Sequence, residues 1–152
     1  MRKMTFLISL TVVAFLAFSG LSQTRSGPAA KQDMNHTMEI ALSGGAEAPG
    51  PGDTNGSGMA HLTFNHDKGE VCYDITAKDI QTPTAAHIHM AEAGKSGPVK
   101  IPLKKGSDGN WKGCTTADKS LINDIMKNPG NYYVNVHTAE FPNGAIRGQL
   151  GK

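Results

Sequence analysis

Glycine and proline set the limits on what this chain can fold into. Eighteen glycines and eight prolines in 152 residues cut it into short runs, the punctuation of an all-β domain. Between the breaks, apolar residues alternate as a strand with one buried face requires. The run 36–42 places Met38, Ile40 and Leu42 on one face, and 58–65 does the same with Leu62 and Phe64. Residues 70–77 answer with Val71, Tyr73 and Ile75 across the turn His66-Asp67-Lys68-Gly69, so these two strands are expected to pair as an antiparallel hairpin. Further strands are expected over 84–90, 99–103, 131–138 and 145–150, the last two joined by the turn Phe141-Pro142-Asn143-Gly144. Residues 106–113, with Trp111, read as a loop or hairpin end. One segment reads as a helix. Thr115 or Thr116 caps it, Asp118 suits its N-terminus, and Leu121, Ile122, Ile125 and Met126 make an apolar stripe that ends at Asn128-Pro129-Gly130. The expected fold class is all-β, a Greek-key β-sandwich or flattened barrel with one short helix.

The N-terminus carries a different pattern. Arg2-Lys3 precedes an apolar run from Met4 to Phe18, and small or polar residues follow from Ser19. Residues 1–22 therefore read as a secretory signal peptide, with cleavage expected between Ser19 and Gln23. Residues 23–35 read as a flexible leader and 36–152 as the folded domain. The expected location is secreted or periplasmic, with no membrane contact after cleavage. Loss of Arg2 and Lys3 leaves 13 basic residues against 13 acidic ones, a balance that argues against a nucleic-acid partner. Cys72 and Cys114 are the only cysteines. In an oxidising compartment they are expected to form a disulfide, and no Cys-x-x-Cys spacing points to a redox role.

The chemistry lies in the histidines. His87 and His89 flank Ile88 and so share one strand face; His137 shares a face with Tyr133 and Asn135, opposite Val134 and Val136. With Ile88 and the valines facing the core, all three imidazoles emerge on the outer side of one sheet. Such a set suits copper, with zinc as second choice, because imidazole-rich sites bind Cu²⁺ more tightly in the usual affinity order. Met34 and Met38 offer thioethers for Cu⁺, but Met38 reads as a core residue and Met34 as part of the leader. Met90 is expected to face the core. The chain has no Gly-x-Ser-x-Gly elbow, phosphate-binding glycine loop or His-Glu-x-x-His helix, which argues against the corresponding hydrolase, nucleotide-binding and zinc-protease classes.

Three pieces in order carry a family resemblance: Leu42-Ser-Gly-Gly-Ala-Glu-Ala-Pro49; Ala86-His-Ile-His89 with Gly97-Pro98-Val99; and Tyr133-Val-Asn-Val-His-Thr138 with Phe141-Pro-Asn-Gly144 and Ile146-Arg-Gly-Gln-Leu150. Over roughly residues 36–151 the chain resembles the CHRD domain, the module of chordin and of many exported bacterial proteins. More loosely, the His-x-His strand, the later Val-His strand and an arginine on the last strand resemble the copper half of copper/zinc superoxide dismutases. That second resemblance implies His87, His89 and His137 as copper ligands and Arg147 as an outward-facing catalytic residue that draws superoxide to the metal. An equal alternative pairs Arg147 with Glu140 or a loop carboxylate. No counterpart of the dismutase zinc loop lies between His89 and His137. The bridging histidine is missing too, unless His61, His66 or His36 replaces it, with His61 the first choice. The function expected is a single-copper protein with superoxide dismutase activity; the alternatives are a non-catalytic copper carrier and a protein–protein interaction module.

Overall fold

The computed structural model describes residues 35–151. The segments expected to be a signal peptide (1–22) and a leader (23–35), apart from Asn35, lie outside the described residues, and Met34 with them. Eight strands and one helix follow in the order β1 Asn35–Ser43, β2 Ser57–Asn65, β3 Glu70–Lys78, β4 Ala85–Met90, β5 Val99–Leu103, β6 Trp111–Thr116, α1 Lys119–Lys127, β7 Tyr132–His137 and β8 Ile146–Gln149. They form one antiparallel sheet in the order β5-β4-β7-β8-β1-β2-β3-β6. The connections from β3 to β4 and from β6 to β7 each cross several strands, which gives the Greek-key character. The sheet curls until its ends meet. The Tyr73 hydroxyl donates to the Lys104 carbonyl at 2.9 Å and accepts the Lys104 N–H at 3.0 Å, tying β3 to the chain just past β5. The result is a flattened, nearly closed barrel, as the alternation implies.

The inner faces supply the core. Met38, Ile40 and Leu42 from β1, Leu62 and Phe64 from β2, Ile88 from β4, and Val134 and Val136 from β7 are all buried. Helix α1 adds Ile122 and Ile125, both fully buried, with Leu121 and Met126 packed partly against the same core. Asp118 holds the N-cap position; Thr115 and Thr116, expected to cap the helix, instead end β6. Among the described residues no helix is long and apolar enough to cross a membrane.

Two expectations about local structure are corrected. Residues 111–116 are a strand, although its inward row is Trp111, Gly113 and Thr115 and therefore shows almost no apolar alternation. Gly113 leaves its place to the Tyr73 hydroxyl, which would stand 3.3 Å from a Cβ there. This strand brings Cys114 directly opposite Cys72, and the two form the expected disulfide. Met90 does not face the core. The pairing of β4 with β5 shifts register between Ile88 and His89, and Met90, beyond the shift, is 39% exposed.

Candidate metal centre

Strands β4 and β7 are neighbours, with His87 opposite Asn135 and His89 opposite Tyr133. His137, two residues beyond Asn135, is thus the diagonal neighbour of His87, within reach for side chains on one face. One ring nitrogen from each of His87, His89 and His137 lies within 4.8 Å of the others. The closest approach joins His87 Nδ1 and His137 Nε2 at 3.0 Å. The outer face is not open, however. The 91–98 connection and the 141–144 turn fold over it, leaving His89 and His137 buried and His87 only partly so.

These two covering segments also orient the imidazoles. His89 Nδ1 sits 2.9 Å from the Gly97 carbonyl, and His137 Nδ1 sits 3.0 Å from the Pro142 carbonyl. A carbonyl can only accept, so each Nδ1 carries the proton and each Nε2 presents a lone pair. The His137 lone pair meets His87. The His89 Nε2 is buried and makes no well-formed hydrogen bond, and neither does the Oδ1 of fully buried Asn135, the polar side chain beside it. Carbonyl-oriented imidazoles with inward lone pairs are the usual outer support of a metal site.

Electrostatics keep the cluster neutral. Burial pushes His87 down to about 4, helped by the nearby His137 and His89. Burial also lowers His89, against the opposing pull of the Gly97 carbonyl, and lowers His137 against that of Pro142. Near pH 7 all three rings are uncharged, each keeping one N–H and one lone pair, the state a metal requires. An all-nitrogen set of this kind fits Cu²⁺ or Zn²⁺.

Together, the fold, the histidine strands and the run of motifs from Met38 to Leu150 identify the family, and the sequence model of the CHRD domain matches residues 38–150. The chain belongs to the CHRD domain family. No curated protein and no solved structure matches it significantly, so the dismutase likeness stays with the pattern of the histidine strands.

Within this CHRD domain the other expected site residues fall elsewhere. His61 does not join the cluster: it lies on β2, with β7, β8 and β1 between it and β4, and its Nδ1 sits 3.1 Å from a Glu39 carboxylate oxygen. His36 is exposed on β1, and His66 sits in its turn 3.7 Å from Asp67. Arg147 does lie on the outer face, but it is 1% exposed rather than open to solvent. Its Nη1 donates to the Lys95 carbonyl at 2.7 Å, and its Nη2 to the Glu92 carbonyl and Gln149 Oε1, both at 3.0 Å. It does not hydrogen-bond to Glu140, whose carboxylate accepts from Gln81. The cluster of Glu70, Cys72 and Cys114 has its two sulfurs joined in the disulfide and offers no thiolate.

The residues that sequence reasoning missed form the support of the site. Tyr133 stacks on His89 with ring centroids 4.8 Å apart, and the Arg147 Cζ lies 3.4 Å from the centroid of the Tyr133 ring. Asn135 contacts both His89 and Glu47. Glu47 reaches in from the loop after β1, and its Oε1 packs where a Gly144 Cβ would lie, 2.2 Å away. Gly144 also has φ +135°, a conformation in which a side chain is strained, and any Cβ there would displace the Glu47 carboxylate. The shared face of Tyr133, Asn135 and His137 was the available signal; the backbone carbonyls leave none in a side-chain pattern.

Proposed function

We propose that this CHRD domain is an exported protein that binds one copper ion through His87, His89 and His137, and that the bound ion dismutates superoxide. The carrying observation is the buried Nε2 of His89, without a well-formed hydrogen bond, beside two further imidazoles, with carbonyls fixing the tautomers of His89 and His137. A buried lone pair without a hydrogen bond costs free energy that a cation would recover. Copper supplies one-electron chemistry between Cu²⁺ and Cu⁺, and three nitrogen ligands leave a position for substrate. His87, the least buried of the three, stands on the accessible side. Zinc is the second choice of metal and would bind without redox activity.

A non-catalytic copper carrier is the second reading, favoured by one observation. The Arg147 guanidinium, which the dismutase analogy assigns to anion attraction, is already committed to two carbonyls and Gln149. Titration of the disulfide-intact protein with Cu²⁺, read by electron paramagnetic resonance, tests the site. One equivalent with couplings to three nitrogens is expected, and none in the His87→Ala, His89→Ala double variant. Unchanged binding in that variant would remove the assignment. Superoxide consumption by the loaded protein then separates enzyme from carrier.

A further inference from the structure

Arg147 stands where charge attraction to a substrate would be useful, yet its surroundings describe a different task. The 91–98 connection leaves β4 directly after His89-Met90 and returns over the histidines to begin β5. It contains no regular secondary structure, so its placement depends on what its backbone bonds to. Arg147 holds it at the Glu92 and Lys95 carbonyls, and Gln149, itself an acceptor for Arg147, donates to the Ala91 carbonyl at 2.7 Å. At its far end the Gly97 N–H donates to the Tyr133 hydroxyl at 3.4 Å, and the Gly97 carbonyl accepts from His89 Nδ1. Arg147 also covers the Tyr133 ring, which in turn stacks on His89 with only 10° between the planes.

We infer that Arg147 is a positioning residue for His89: it clamps the 91–98 connection from below and backs the Tyr133 ring, so that His89 is held in one tautomer and one orientation with Nε2 turned inward. The inference rests on the copper-site reading for its purpose, but the orientation of His89 is a property of the metal-free protein. The chemistry asks for arginine in particular. Its planar fork satisfies two carbonyls at once and lies flat on an aromatic ring, whereas a lysine ammonium carries the same charge without either geometry.

Arg147→Lys therefore separates positioning from attraction. In the metal-free parent, ¹⁵N NMR should show His89 as a single Nδ1–H tautomer, with slow amide exchange at Gly97. In Arg147→Lys the tautomer should become mixed and the Gly97 amide should exchange faster. Cu²⁺ affinity should then fall about 10- to 100-fold, the usual loss when an outer support of a metal ligand is removed. Retention of the tautomer, the amide protection and the affinity in Arg147→Lys would overturn the inference and return Arg147 to a role of charge alone. If that variant does not fold, Arg147→Met, which removes the fork that holds the Glu92 and Lys95 carbonyls but keeps an unbranched stem, is read in the same way; a parent-like His89 there overturns the inference equally. A parent with a single His89 tautomer that binds no copper would refute the metal reading and leave the positioning role standing.

Discussion

Gly97 is the residue on which the geometry of His89 turns. A Cβ at this position would lie 2.0 Å from the Met90 carbonyl oxygen and 2.8 Å from its carbon, so any side chain pushes the 91–98 connection away from the end of β4. The Gly97 carbonyl would then leave His89 Nδ1. Gly97→Ala is expected to retain the barrel, because every core side chain stays in place, and to weaken Cu²⁺ binding about 10- to 100-fold. Isothermal titration at pH 7 measures this, and a parent-like affinity would show that the carbonyl is dispensable. At this scale the sequence was partly legible. The three histidines could be read because alternation assigns faces to His87, His89 and His137. The role of Arg147 could not, since its partners are mostly backbone carbonyls of the 91–98 connection, which no pattern of side chains encodes. His61 satisfied the same alternation rule as the three histidines that come together and is separated from them by strand order, which periodicity does not determine.

At the level of elements, the hairpin of β2 and β3 and the helix followed from local signals, because each is made by residues close in sequence. Strand β6 did not, since a strand whose inward row is Trp111, Gly113 and Thr115 leaves no apolar period to detect. Its position nonetheless fixes the disulfide. Cys72 and Cys114 are paired across β3 and β6 and are 42 residues apart in the chain, and the loop they close contains both β4 and β5. Its loss should cost about 4 kcal/mol in the chain-entropy account of cross-links. Cys72→Ser with Cys114→Ser is expected to lower the urea midpoint accordingly. Cu²⁺ affinity at temperatures where the variant is folded should stay unchanged, because the imidazoles of His89 and His137 are oriented by the Gly97 and Pro142 carbonyls and not by β3 or β6. A combined fall in midpoint and affinity would mean that the bond shapes the histidine face.

Across the whole molecule, the outer face of the barrel is where expectation and structure part most. Alternation correctly sent His87, His89, Asn135, His137 and Arg147 outward, but it says nothing of loops that later cover that face, and four of these five are buried. Burial of so many polar groups makes stability depend on pH in two opposing ways. The histidines are held below their ordinary value, His87 at about 4, so the stability they contribute in the metal-free protein is present above pH 6.5 and lost as pH falls toward 4. Glu47 runs the other way. Burial raises it to about 7 despite the opposing pull of Arg147 and Asn135, so its contribution is present below pH 4.5 and lost as pH rises through 7. The two windows overlap, and the parent curve alone will look flatter than either component. Glu47→Gln isolates one of them: the amide cannot ionise, so its stability relative to the parent should rise steadily from pH 4.5 to 7 and level off above. Urea midpoints of the two metal-free proteins at pH 4.5, 6 and 8 measure the difference. A constant offset across that range would mean that the Glu47 carboxyl ionises as freely in the folded domain as in the unfolded chain, and that the polar layer beneath the loops is wetter than its burial implies.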